Sequence, residues 1–287
     1  MESPRSAAGA PVFRCPACEE PLPRQGPGYR CSEGHAYDVA KEGYVNLLLA
    51  QHRSSKDPGY SKEMIAGRRD FFDAGHYEPL ADGVAEVVAG YLPEGSATVL
   101  DAGCGEGYYL RRLREHLSAQ PLGRDHLLVG TDVSKHAVRV AAKRDPLGTY
   151  AVAGTFRMPI LADRVDLLLT HFSPVSPADF RRVVRPGGVV LVGGPGERHL
   201  FSFKELLYDE AVTHEPGDAL AGEPGFEPVG VHHVRYPLRL RGPGQVANLL
   251  QMTPYNWSVA PDLRESLTGL DSLDTEVDVL VRAYRVV

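Results

Sequence analysis

The chain has 287 residues, 43% of them hydrophobic and 24% charged, with a formal net charge of −6. That length suits one full domain with a smaller module, and the balance is that of a soluble globular protein. No run approaches the roughly 18 apolar residues of a membrane span, the start has no signal-peptide core, and the acidic balance excludes a generally basic nucleic-acid coat while leaving room for a local patch. A cytoplasmic protein without a membrane partner is therefore expected.

Residues 1–11 are small and polar with proline, and are expected to be disordered. Four cysteines occur, three of them early: Cys15, Cys18 and Cys31, with His35 four positions later. Cys-x2-Cys followed by Cys-x3-His offers three soft thiolates and one imidazole, a tetrahedral set for one structural Zn2+. A disulfide would leave an odd thiol in the module and lacks a secretory context. Metal binding of this kind contributes roughly 10–16 kcal/mol, enough to fold a segment too small for its own core. The zinc-binding module is expected over residues 12–50, followed by a polar connection over 51–75. His52, Arg53, Lys56, Lys62, Arg68 and Arg69 lie in that connection.

The main domain is expected over 76–287. The spacing of Leu80, Val84, Val87, Val88 and Tyr91 predicts an amphipathic helix over Glu78–Leu92. Strands follow at 97–101, 127–131, 150–153, 165–170 and 188–193, alternating with helices at 107–118, 134–144, 177–184 and 199–210. Arg185-Pro-Gly-Gly188 is a turn feeding the fifth strand. Beyond residue 225 come a strand over Val229–Tyr236, a helix near 243–251 and a last strand over Thr275–Val286. Alternating β and α signals predict an α/β fold with a mostly parallel, doubly wound sheet and a ligand at the carboxyl ends of its strands.

Asp101-Ala-Gly-Cys-Gly-Glu-Gly107 stands between the first of these strands and a helix start. Glycines there let the backbone approach a polar ligand without a Cβ clash, and helix N-terminal N–H groups face it. Leu127–Asp132 is a second short apolar strand ending in an acid, at about the offset where a carboxylate meets ribose hydroxyls in a βαβ unit. Asp132 alternatively caps the helix that begins near Ser134. Cys104, inside the loop, reads as a small packing residue. The Gly-x-Gly-x-Gly form with Asp101 two residues upstream resembles the S-adenosylmethionine (SAM) loop of Rossmann-like class I methyltransferases. Within that likeness Asp101 either meets the positively charged end of SAM or braces the loop.

Several segments together carry a more specific likeness: Cys15-Pro-Ala-Cys18, Cys31-Ser-Glu-Gly-His35, Tyr44-Val-Asn-Leu-Leu48, Lys56-Asp-Pro-Gly-Tyr60, Arg68–Tyr77, the glycine loop and Gln251–Trp257. A zinc-knuckle module ahead of a SAM domain with these motifs resembles the bacterial 23S rRNA (guanine-N1)-methyltransferases that act on the helix 35 hairpin. Within that family the chain looks most like the macrolide-resistance type, which methylates guanine 748 and protects against tylosin-like drugs; a sister type methylates guanine 745. The resemblance implies cofactor contacts from Tyr77 and His199, joining Asp101, Gly103, Gly105, Glu106, Gly107 and Asp132, and it implies a homodimer. Packing beneath the helix for Tyr77 and a helix-start role for His199 are the alternatives.

The fourth strand ends in Thr170-His-Phe-Ser-Pro174, which lacks the Asn/Asp-Pro-Pro-aromatic form of amino methyltransferases. Phe172 is a candidate to stack on a flipped base and His171 to take a proton, and both equally suit loop packing. The zinc module with its adjoining basic stretch is the expected hairpin reader, and Arg111, Arg112 and Arg114 form a basic ridge that is either a phosphate contact or a solvated helix face. Two other functions compete with the leading one: a SAM enzyme acting on a small natural-product precursor, and a non-catalytic zinc-dependent RNA-binding protein.

Overall fold

The computed structural model describes residues 10–52, 61–120, 125–242, 244–257 and 259–287. The disorder expected for the first nine residues, the basic residues Arg53 and Lys56, and the Lys56–Tyr60 motif lie outside the described residues. The chain begins with a three-stranded antiparallel sheet, β1 (Arg24–Gln25), β2 (Gly28–Arg30) and β3 (Ala36–Asp38). A short strand, β4 (Tyr44–Asn46), follows. The segment expected to be a polar connection holds a helix instead, α1 (Lys62–Asp73), whose N-cap Ser61 accepts from the Met64 N–H at 3.2 Å. Met64, Ile65, Phe71 and Phe72 give it a buried face that the scattered lysines and arginines had masked.

The expected βα alternation follows: α2 (Glu78–Tyr91), β5 (Thr98–Ala102), α3 (Tyr108–Ser118), β6 (Leu127–Asp132), α4 (Lys135–Arg144), β7 (Thr149–Val152), β8 (Val165–His171), α5 (Pro177–Val183) and β9 (Val184–Pro195). The helix expected over 199–210 is only α6 (Phe201–Leu207), with Leu200 in a left-handed conformation at its start. A long hairpin partner, β10 (Phe226–Arg241), then α7 (Gln245–Met252), α8 (Pro261–Thr268) and β11 (Ser272–Val286) complete the chain. The strands β10 and β11 outrun the expected ones at their inner ends, because each finds the other as a continuous antiparallel partner.

Eight strands form one sheet in the order β10-β11-β9-β8-β5-β6-β7-β4. The pairs from β9 through β4 are parallel, and β11 runs antiparallel to β9 and β10. The order reverses between β5 and β8, which opens a crevice at the carboxyl ends of β5 and β6, where a ligand binds in such sheets. Residues alternate between the two faces with the period of a strand. Val99, Leu167, Leu169, Val189 and Leu191 pack on one face with α1–α4, α6 and α7. Leu100, Leu168 and Val190 pack on the other with Phe180 of α5.

The second face has an unusual cover. Between β7 and β8 the chain forms no helix. The metal-binding segment lies there instead, with Phe13 and Leu22 fully buried against Met158 and Ile160. Backbone hydrogen bonds stitch the join: Arg14 N–H to the Pro159 carbonyl at 2.9 Å and Leu161 N–H to the Val12 carbonyl at 3.0 Å. β4 from the same segment pairs in parallel with β7 and becomes the edge of the main sheet. The small module thus shares its core with the large domain. No helix among the described residues is long and apolar enough to cross a membrane.

Candidate active site and metal centre

Cys15, Cys18, Cys31 and His35 converge, with one ligand atom from each lying within 4.8 Å of all the others. The Cys18 and Cys31 sulfurs are 3.6 Å apart, and Cys31 Sγ is 3.4 Å from His35 Nδ1. Tetrahedral thiolates about 2.3 Å from a zinc ion stand roughly 3.8 Å from one another, so the set fits that ion with little adjustment. All four cysteines of the chain are free thiols. Gly34, at φ +84°, makes the second knuckle, and the Cys31 N–H donates to the His35 carbonyl across it at 3.1 Å. Tyr37 Oη lies 3.6 Å from Cys15 Sγ, a support for the ligand from outside the set.

β5 delivers Asp101 to the mouth of the crevice, and the glycine loop turns back over it. Gly103 has φ +94°, and a Cβ there would stand 2.0 Å from Ser173 Oγ. The N–H groups of Gly103 and Cys104 both donate to the Thr131 carbonyl at the end of β6, at 2.8 and 3.0 Å. Asp132 accepts from Gly105 N–H at 3.0 Å and from Ser134 N–H at 2.7 Å. The cap of α4 is Ser134, which accepts from Ala137 N–H at 3.3 Å, so Asp132 braces the glycine loop rather than capping that helix. Asp101 braces nothing: it is 1% exposed, and neither carboxylate oxygen has a hydrogen-bond partner among the described residues. Burial and the nearby Asp132 charge push its carboxyl up to about 7. A buried, unpartnered acid beside a glycine cradle fits a cationic ligand group, as the ammonium and sulfonium of SAM would provide. Cys104 is buried, and its thiol is pushed well up by burial and by the surrounding carboxylates, which suits packing.

Arg68 was not legible as part of this site. From α1 its Nε meets Glu106 at 3.0 Å, with the Glu106 carboxylate almost wholly buried. Glu106 is held above its ordinary pKa by burial, against the opposing pull of Arg68. Tyr77 is buried at the head of α2, with Phe71 and Phe72 ring centroids 5.2 and 5.7 Å away. His199 is buried, and its Nδ1 accepts from the Asp278 N–H at 3.2 Å, which places the neutral ring's proton on Nε2. Burial and His214 lower its pKa to about 4. Phe172 lies 5.4 Å from the His199 ring, 39% exposed and in a left-handed conformation at φ +51°. His171 is buried beside Gly193 and Tyr109, and neither ring nitrogen has a hydrogen-bond partner among the described residues. Burial, with Arg68 and His199 nearby, lowers its pKa to about 3, so it is neutral and weakly basic.

A cavity of about 600 Å3 opens at this point. Gly103, Asp132, Gly154 and Phe172 line one part of it, and Cys15 and Pro16 of the metal knuckle line another. The metal segment therefore reaches the crevice beside the glycine loop, a placement no spacing rule announces. The expected basic ridge is different from its sequence appearance. Arg111 pairs with Glu115, Arg112 with Glu78, Asp82 and Glu115, and Arg114 with Asp145. Its charge is balanced by acids within the fold. Arg69 likewise pairs with Asp70.

Comparison with known proteins follows the same two-part division. A family model described as "RlmA, N-terminal" matches residues 13–56, and one described as "Methyltransferase domain" matches residues 99–188. The chain is 35% identical over 254 residues to the 23S rRNA (guanine(748)-N(1))-methyltransferase of Streptomyces fradiae, covering 87% of each chain. It is 34% identical to a Micromonospora griseorubida protein assigned as a 23S rRNA (guanine-N1)-methyltransferase, covering 96% of this chain and 97% of the other. A Bacillus subtilis protein with the same assignment is 31% identical, covering 93% and 95%.

Proposed function

The chain belongs to the 23S rRNA (guanine-N1)-methyltransferase family, and from that premise we propose that it methylates N1 of guanine 748 in the helix 35 hairpin loop, conferring resistance to tylosin-type macrolides. The observation that carries the reading is a single cavity walled by both the metal knuckle and the glycine loop. It brings the part suited to holding RNA to the place where a methyl donor would sit. The protein uses SAM and one structural zinc ion, held by Cys15, Cys18, Cys31 and His35.

SAM supplies an electrophilic methyl group on a sulfonium. The chain's contribution is alignment and shelter. Asp132, already oriented by two backbone N–H groups, uses its remaining lone pairs for the ribose hydroxyls. Asp101 faces the ammonium, and Gly103, Gly105 and Gly107 admit the cofactor close to the backbone. Tyr77 closes the base of the site under α2. His199, with its proton on Nε2, donates a hydrogen bond into the site and does not serve as a base.

Phe172 stacks on the guanine, which must be unpaired because A-form RNA hides its base edges in the deep groove. Guanine N1 would lose its proton as it bonds to the methyl group that SAM supplies, the sulfur keeping the electron pair of the broken carbon–sulfur bond. His171, with its pKa lowered to about 3, is a weak acceptor for that proton, and solvent in the cavity is the other. The enzyme works in the cytoplasm, as a homodimer.

The test is methyl transfer from labelled SAM to unmethylated 23S rRNA, with the product mapped by mass spectrometry. 1-Methylguanosine at position 748 is the expected result. The same nucleoside at 745 would overturn the resistance assignment, and no incorporation into RNA would overturn the proposal as a whole.

A further inference from the structure

The acids of the cofactor crevice create a problem that the motif residues leave unsolved. Asp101, Glu106 and Asp132 are all buried there, at 1%, 2% and 7% exposure. SAM brings two positive groups to such a site, but its amino-acid end also carries a carboxylate. Placed among three buried carboxylates in a medium of low dielectric, that group would be strongly repelled. Something cationic has to stand on its side of the crevice.

Arg68 meets the requirement. It comes from α1, and no cofactor contact was assigned to it from sequence. Its side chain is 13% exposed, with Nε 3.0 Å from Glu106 Oε2. Its guanidinium carbon lies 5.0 Å over the Phe72 ring, which fixes the plane of the head group. It is also the nearest side chain to the open face of Gly105: a Cβ there would have Arg68 Nη2 at 3.6 Å and Nε at 3.8 Å. Its charge opposes the raised pKa of each of the three acids. The head group is thus held beside the middle glycine of the loop, oriented by an acid on one edge and an aromatic ring on its face.

We propose that Arg68 is the positioning residue that receives the carboxylate of the cofactor's amino-acid end, with Glu106 holding its guanidinium in place and Asp101 taking the ammonium. The proposal rests on the reading of the crevice as the SAM site. It gives the helix α1 a role in methyl-donor recognition, where the sequence pointed to RNA. A guanidinium suits the task because its planar fork matches a carboxylate and stays charged beside acids.

The experiment compares two ligands that differ only in the group concerned: SAM, and decarboxylated SAM, which keeps the adenosine, sulfonium and ammonium. Affinities are measured by calorimetry on the zinc-loaded full chain, with no RNA present, for the unsubstituted protein, Arg68→Ala and Arg68→Lys. The unsubstituted protein is expected to favour SAM by roughly 10- to 100-fold, the range of a charge-assisted pair. Arg68→Ala is expected to lose that preference while its affinity for decarboxylated SAM holds or rises, and Arg68→Lys to keep part of it. Equal loss of affinity for both ligands would mean a purely structural role and would overturn the proposal, as would an unchanged preference in either variant. If Arg68→Ala does not fold, Arg68→Lys alone decides the question, through the ratio of the two affinities. An unsubstituted protein that binds neither ligand would overturn the assignment of the crevice itself, whereas a failure on ribosomal RNA leaves this comparison untouched.

Discussion

Replacing Asp101 with asparagine should stabilise the protein at alkaline pH and weaken its hold on the cofactor. The carboxyl is fully buried without a hydrogen-bond partner, and its pKa rises from an ordinary 3.8 to about 7. Because the folded value lies above the unfolded one, the protonated form's contribution is complete below pH 4. It is lost as pH climbs through 7. Above that the ionised carboxylate burdens the fold by about three pKa steps, or roughly 4 kcal/mol at most. Asparagine keeps the shape and never ionises. Relative to the unsubstituted protein, Asp101→Asn should therefore be more stable by about 1–2 kcal/mol at pH 5, where the unfolded carboxyl is already ionised, and by about 4 kcal/mol at pH 8. The comparison is read from urea unfolding of the zinc-loaded protein without cofactor; any effect of pH on the metal ligands is common to both proteins and cancels. Calorimetric titration with SAM should show an affinity lower by at least tenfold, since the ammonium loses an ionic partner. A variant equally destabilised at both pH values would refute the reasoning, because Asp101 would then be accepting hydrogen bonds that hold the fold together.

Three further outcomes are expected. Gly103→Ala should abolish measurable S-adenosylhomocysteine binding while leaving the circular dichroism spectrum native, because the residue sits at φ +94° and the new methyl would meet Ser173 Oγ at 2.0 Å; retained binding would place the cofactor elsewhere. Phe13→Ala should cost about 3–5 kcal/mol in one cooperative unfolding transition, since the ring is fully buried between the metal segment and Ile160; a separate early transition of the metal segment alone would show that the two parts are not one core. Cys31→Ser should lower the zinc content and also weaken S-adenosylhomocysteine binding, because Cys15 and Pro16 wall the same cavity as Gly103 and Asp132; unchanged affinity in zinc-free protein would separate the knuckle from the crevice.

What the sequence could state by itself was local. The Cys-x2-Cys and Cys-x3-His spacings put four ligands on two tight turns, and such turns close the same way wherever they occur. The glycine loop and Asp132 were readable because a strand, a turn and a helix start impose one geometry on a short stretch of chain. The alternation of β and α segments set the sheet, since parallel strands need crossovers between them.

What remained hidden depended on distant partners. Lys62–Asp73 carried enough lysine and arginine to look like a linker, and only the fold turned Arg68 inward to Glu106. The arginines of α3 read either as a phosphate ridge or as a solvated face, and only the fold brought Asp82 and Asp145 against them. Phe13 and Ile160 are far apart in the chain, and neither announces that a metal knuckle will stand where a crossover helix would. The tautomer of His199 is set by a backbone N–H of β11, and so which of its nitrogens carries the proton is a property of the sheet. Spacing in sequence determines how a short segment can turn and which atoms it offers. Which of those atoms are desolvated, paired or left open toward a ligand is settled by what the rest of the chain packs against them.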